Sequence, residues 1–181
     1  MHRVVKEYAI RSNQNLPLAD YLVPLVGDKK QVRILDAGSG PYATTGQLLD
    51  GVEIEITYCD RKVFNLFWQE LGLEPLHRID LENMEELSYP DKFFDIVHCV
   101  NALDHTEDAE TALGELIRVC KLGGWVYIDC ALDQLTLQGK RHYWDCKYDG
   151  KFVNKTKTFD LKDYGFEIDY NDGHTVAMKL C

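Results

Sequence analysis

Val32-Arg-Ile-Leu-Asp-Ala-Gly-Ser-Gly-Pro-Tyr-Ala43 decides how this chain is read. It begins as an apolar strand, Val32 to Leu35, and ends in closely spaced glycines. A helix-like run, Ala43 to Leu49, follows. Strand, tight turn and helix in that order predict a nucleotide-binding α/β fold. Gly38 and Gly40 let the backbone turn sharply and approach a ligand closely. The free N–H groups of the next helix would then face a charged or polar ligand group. Gly38-x-Gly40-x-x-Ala43 also meets a loose dinucleotide fingerprint, so the glycines alone do not choose the ligand. Asp36 needs a separate account. An anion there repels a pyrophosphate and suits a ligand carrying an ammonium group, unless it only accepts bonds from the turn's own N–H groups.

Working outward, Asp50-Gly51 leads into Glu53-Ile-Glu-Ile-Thr-Tyr-Cys-Asp60, a strand that stops at an acid. Asp60 lies about 20 residues beyond the glycines, where a ribose-binding carboxylate is expected. Val63 to Leu71 reads as a helix and Leu76 to Leu81 as a short third strand. Asp80 and Leu81 then fall at the carboxyl end of that strand, placed to frame an adenine, unless Asp80 simply caps the following turn. His77 reads as a surface or sheet-edge histidine. Met84 and Leu87 anchor the polar connection Glu82 to Pro90, and Phe93 to Val100 is a strand covered on both faces. Asn101-Ala-Leu-Asp-His-Thr106 follows at its carboxyl end, the side that faces the ligand crevice in an open α/β sheet. Thr106 is placed to cap the next helix, whose apolar stripe runs from Ala109 to Cys120. Gly123-Gly124 is expected to end that helix before the strand Trp125 to Ala131.

Upstream, Leu16 to Val26 reads as a helix with Pro17 in its first turn and Leu18, Leu22 and Leu25 on one face. Residues 1–30 thus form a helical lid or cover, on which Tyr8 and Arg11 read as ordinary surface residues first and as ligand contacts second. Downstream, 139–160 reads as an inserted hairpin about Asp149-Gly150. It either walls off a substrate pocket or mediates self-association, as in a homodimer. Asp160 to Tyr164 is a short helix, and Phe166 to Tyr170 with His174 to Leu180 form a closing hairpin. The whole chain, 1–181, is one domain of ordinary size.

The net charge of −10 disfavours a broad nucleic-acid footprint, although Arg141, Lys147, Lys151, Lys155 and Lys157 are near enough in sequence to build a local basic groove. None of the six cysteines is spaced like a thiolate metal site, and several sit in apolar runs as small hydrophobes. No secretory leader and no bilayer-length apolar run is visible, so the expectation is a soluble, cytoplasmic protein.

ILDAGSG (34–40), Asp60 after TYC, DLENM (80–84), FFDIVHCVNALDH (93–105) and LGELIRVCKLGGWVYI (113–128) together resemble the class I methyltransferases that use S-adenosylmethionine, especially the small-molecule type. The resemblance implies a three-layer Rossmann-like α/β fold. Its seven-stranded mixed sheet has order 3-2-1-4-5-7-6 and an antiparallel terminal strand, here with an extra hairpin after strand 5. It implies that Asp36, Gly38 and Gly40 hold the amino-acid portion of the cofactor, with Arg61 nearby. Asp60 takes its ribose, Asp80 and Leu81 frame its adenine, and Asn101 lines the place where donor meets acceptor. Family members commonly carry a third glycine where this chain has Tyr42, whose side chain would narrow the cofactor pocket or stack near the methionine portion.

Methyl transfer needs alignment of the nucleophile, and a base only where the attacking atom keeps a proton of high pKa. His105 is the first candidate base and Asp104 the second. Asn101, His105, Tyr143 and Trp144 are the expected substrate contacts. The acidic-proline-aromatic motif of base-amino methylation is absent from 101–106, and no Pro-Cys pair suggests pyrimidine chemistry. A small molecule with an oxygen or nitrogen nucleophile is therefore favoured over protein or nucleic acid. No metal is assigned, with His98 read as part of a packed strand and His142 as exposed. The competing readings are an NAD(P)-dependent oxidoreductase, which shares the first strand and ribose acid, and a catalytically silent methyltransferase fold acting as a binding subunit.

Overall fold

The computed structural model describes residues 16–41, 45–62, 68–69, 77–135 and 142–181. Tyr8, Arg11, Tyr42, Ala43, Arg141 and most of the helix expected over Val63–Leu71 lie outside them. Residues 68 and 69 of that run are helical, with Trp68 buried.

The main sheet has seven strands in the order β3-β2-β1-β4-β5-β10-β9. They are β1 (Gln31–Ala37), β2 (Glu53–Asp60), β3 (Ile79–Leu81), β4 (Phe94–Val100), β5 (Cys120–Ala131), β9 (Glu167–Asn171) and β10 (His174–Leu180). β1, β2, β3, β4 and β5 run parallel, and β10 pairs antiparallel with both β5 and β9. The last two strands swap places relative to chain order, as expected.

Strand parity sends side chains to two separate cores. On one face Leu35, Ala37, Val97, Cys99, Val126 and Ile128 meet helix α2 (Ala109–Val119) through Ala112, Leu113 and Leu116. On the other, Val32, Ile34, Ile96 and Tyr127 meet Leu18, Leu22, Leu25 and Val26 of the leading segment. Among its described residues, 16–30, that segment carries one helical turn, α1 (Val23–Val26), rather than a helix from Leu16. Pro17 instead forms a parallel bridge with Leu48. The expected helix over 43–49 is likewise replaced, across 45–49, by chain pairing. Gln47 and Leu48 donate their N–H groups to the Leu16 carbonyl, and Gly46, at φ +65°, would push a Cβ to 1.9 Å from the Pro17 carbonyl oxygen. A Thr-Gly stretch of weak helix propensity yields to that pairing.

The caps also differ. α2 starts at Asp108, whose side chain accepts from the Thr111 N–H, while the Thr106 hydroxyl donates to the Leu103 carbonyl. It ends at Val119, before the glycines. Gly124 lies within β5 because a Cβ there would come 2.7 Å from the Asp95 carbonyl oxygen, at the register shift between β4 and β5. The insertion is a three-stranded sheet, β6 (Asp145–Cys146), β7 (Lys151–Val153) and β8 (Thr158–Asp160), one strand more than a hairpin. Trp144, Phe152 and Phe159 pack it onto the α2 face. The lysines read as a groove are drawn off in pairs: Lys147 with Asp133, Lys151 with Asp149 and Lys157 with Asp108. Among the described residues, no helix is long and apolar enough to cross a membrane.

Candidate functional site

A cavity of about 470 Å³ opens at the carboxyl ends of β1, β2 and β4, where the strand order reverses direction about β1. Gly38, Gly40 and Pro41 form one wall; Cys59, Asp60, Arg61 and Lys62 a second; Glu82, Asn83 and Met84 a third. Asn101, Ala102, His105, Thr106 and Tyr143 close it.

The glycine turn is held from β2. Gly38 and Ser39 donate to the Cys59 carbonyl at 2.9 and 3.0 Å. Gly40 donates to Asp60 Oδ2 at 3.1 Å, and Lys62 N–H to Oδ1 at 2.8 Å. These N–H groups therefore orient Asp60 rather than face a ligand. A carboxylate offers about four lone-pair sites, so Asp60 keeps acceptor capacity toward the cavity. Gly38, at φ +72°, is packed so closely that an added Cβ would lie 2.3 Å from Ala102 Cβ. At Gly40 the same position is open space.

Of the three expected carboxylates, only Asp60 lines the cavity. Asp36 is buried behind the turn on the opposite sheet face, where Oδ1 lies 2.8 Å from His98 Nδ1 and Oδ2 has no hydrogen-bond partner. His98 Nε2 in turn meets the Tyr21 hydroxyl at 3.0 Å. Asp80 pairs with Arg78 at 2.9 Å and accepts from the Tyr89 hydroxyl at 3.2 Å. Leu81 stands 65% exposed. The chain reaches the cavity there through Glu82, Asn83 and Met84 instead, residues of the DLENM stretch with no ligand role expected from sequence, Met84 being read as an anchor. His77 is half-buried, its ring tilted 42° against that of Tyr58 with centres 4.2 Å apart, and burial lowers its pKa. Cys59, on the cavity wall, has its pKa pushed up to about 12 by burial, so it is a neutral thiol.

The 101–106 segment turns tightly after β4. Asn101 sits at φ +48°, with its Oδ1 accepting from the Ala131 N–H at the end of β5. Leu103–His105 is a single 3₁₀ turn. It aims His105 at the cavity and buries Asp104. Asp104 Oδ2 lies 2.5 Å from Nδ1 of His142, whose side chain is 9% exposed rather than open to solvent, and whose ring packs 4.1 Å from that of His105. Nothing in local sequence announced His142, because its partner is 38 residues away. Tyr143 and Trp144 donate backbone N–H groups to the Asp104 carbonyl. Their side chains part: Tyr143 lines the cavity, while Trp144 is 1% exposed in the core. Arg61 lines the cavity and lies 3.9 Å from Glu107.

Comparison with known proteins agrees with this architecture. An uncharacterized methyltransferase of Schizosaccharomyces pombe is 36% identical over 110 residues, covering 54% of this chain and 39% of the relative. A sterol 24-C-methyltransferase of Neurospora crassa is 27% identical over 109 residues, covering 58% and 29%. The chain spans less than half the length of the curated relatives it matches. The putative methyltransferase solved in complex with the Haloferax volcanii Trm112 methyltransferase activator superposes with a TM-score of 0.63 at 12% identity, over 97% of this chain and 92% of that one, a likeness of fold. The family model described as a methyltransferase domain matches residues 35–128. With the glycine turn, the reversed terminal strands and that match together, the chain belongs to the methyltransferase domain family of class I, S-adenosylmethionine-dependent fold.

Proposed function

We propose that this chain transfers a methyl group from S-adenosylmethionine to an oxygen or nitrogen of a small molecule. The observation that supports it most is the convergence of the glycine turn, Asp60 and the 101–106 segment on one cavity. The residues present fit that cofactor. About 470 Å³ lies within the ordinary range for a small-molecule site. Asp60 has acceptor capacity for ribose hydroxyls, and the space over Gly40 is open. The chemistry supplied by the bound cofactor is a methyl group activated by its sulfonium leaving group.

This chain's own part is binding, alignment and exclusion of water. Asp60 and the turn fix the nucleoside, with Glu82, Asn83 and Met84 along its flank. Asn101, His105 and Tyr143 form the opposite wall, where the acceptor is held. His105 is the wall residue assigned to take a proton from the acceptor, and Asp104, buried beneath it, is a positioning residue that acts through His142. The acidic charge and the sterol methyltransferase among the relatives support a small molecule over a nucleic acid.

Calorimetric titration with S-adenosylmethionine and with NAD tests the reading. Binding of the former in preference is expected, and preference for NAD would overturn it. Asp60→Ala should weaken cofactor affinity roughly tenfold to a hundredfold, since hydrogen bonds to a charged group are worth about 1.5–3 kcal/mol. With a labelled methyl donor and an identified acceptor, His105→Ala should lower turnover by about 10²–10⁴ while leaving cofactor affinity near the parent value.

A further inference from the structure

We propose that Asp104, His105 and His142 form a binding site for one divalent transition-metal ion of the zinc type, set into the acceptor wall of the cavity. The donor atoms of these three side chains all lie within 4.8 Å of one another. They come from two chain segments that are tied together independently of any ion. The 3₁₀ turn carries Asp104 and His105, and the Tyr143 and Trp144 N–H groups bond to the Asp104 carbonyl at 2.9 and 3.3 Å. The backbone therefore delivers His142 to the pair already oriented.

Two imidazoles and one carboxylate are a donor set that suits zinc and its neighbours, and three protein ligands with one position left over is the arrangement of a catalytic rather than a structural site. His105 lines the cavity, as does Tyr143 next to His142, which puts the three donors at the cavity wall. A second observation points the same way. Asp104 is only 2% exposed, and its Oδ1 has no hydrogen-bond partner, leaving a buried carboxylate half satisfied. A single hydrogen bond to His142 leaves the buried charge poorly compensated, whereas a cation at the carboxylate offsets it.

The adjustment required is one of side-chain rotation, in which donor atoms up to 4.8 Å apart draw together by up to about 1.5 Å. Donor atoms around a tetrahedral ion with bonds of about 2.0–2.1 Å stand about 3.3 Å apart. His142 Nδ1 and Asp104 Oδ2, at 2.5 Å, must separate by about 0.8 Å, within the reach of side-chain rotation. A proton on Nδ1 moves to Nε2 as the ion takes its place, a change of tautomer that leaves the imidazole neutral. What the ion does rests on the methyl-transfer reading: it would draw a hydroxyl acceptor onto the open position as a Lewis acid and ease loss of its proton to solvent, in place of proton removal by His105, whose ring nitrogen would then be a ligand. That the ion binds does not rest on that reading.

The test uses the chelator-treated full chain, titrated with zinc by calorimetry and with cobalt(II) followed by visible absorption. One ion per chain is expected. The cobalt form should show the d–d bands of nitrogen and oxygen ligation without thiolate charge-transfer absorption, since the donor set contains no cysteine. His105→Ala and His142→Ala should each weaken binding at least a hundredfold, with His142→Gln as the gentler change should the alanine variant fold poorly. His174→Ala, whose ring pairs with Asp129 outside the cavity, should bind like the parent. Zinc should raise the thermal midpoint of the parent and not of the His142 variants. Absence of saturable binding, or binding that survives both histidine changes or carries thiolate bands, would overturn the proposal. S-adenosylmethionine affinity measured on the same metal-free sample separates this outcome from failure of the methyl-transfer reading.

Discussion

Asn101 holds its backbone at φ +48° and spends its side-chain oxygen on the Ala131 N–H, so one residue fixes both the bend after β4 and its spacing from β5. Asparagine tolerates this left-handed conformation better than most residues. Asn101→Ala should therefore cost about 1–3 kcal/mol, through strain and a lost partner, and Asn101→Gly less, because glycine relieves the strain. Urea denaturation of the two variants checks the order; equal losses would show that the hydrogen bond alone matters. Asp60, the glycines and the 101–105 stretch were legible in sequence because each sits at a strand end, where topology alone directs it to the crevice. Asp36 and Asp80 were legible as strand-end acids, but not in their surroundings. Strand parity turned Asp36 toward His98, 62 residues on, and Asp80 found Arg78 and Tyr89. His142 was misread for the same reason: a side chain's partner across the fold leaves no local mark.

At the scale of elements, α2 does more than cover the sheet. Arg118 binds Glu115, Asp91 and the carbonyls of Leu87 and Tyr89, while Glu115 also accepts from the Leu87 N–H. This clamp ties the connection that follows the Glu82–Met84 wall to the helix. Hydrogen bonding to Arg118 holds the Glu115 pKa below its ordinary value. A carboxylate whose folded pKa is depressed contributes stability that is present above its unfolded pKa and lost as pH falls through the folded one. Glu115→Gln should therefore be less stable than the parent near neutrality, and the two should converge as the pH drops below the ordinary carboxylate range. Denaturation midpoints at neutral and acid pH measure this, and a gap that persists in acid would assign the effect to shape rather than charge. Elements with a strong period, such as β4 and the α2 stripe, were legible from sequence. Their boundaries were not, where glycine served a register shift inside β5 rather than a helix end, or where Pro17 found Leu48 in place of a helical turn.

For the molecule as a whole, the two apolar faces of the sheet make the frame and the loops at one edge make the site, which predicts that stability and binding separate. Leu116 is fully buried between α2 and the sheet. Leu116→Ala should cost about 2–5 kcal/mol, yet leave the cavity wall in place. S-adenosylmethionine at a hundredfold excess over its dissociation constant should add about 2.7 kcal/mol to the parent, a rise in thermal midpoint of roughly 5–10 °C for a chain of this size. The Leu116 variant should start lower and gain nearly the same increment. Asp60→Ala should differ in the ligand response, losing about 1.5–3 kcal/mol with the two backbone bonds its carboxylate accepts and, beyond that, most of the ligand's increment at the same concentration. Should Leu116→Ala instead abolish the response, packing under α2 would be setting the shape of the cavity, and the division between frame and site would fail.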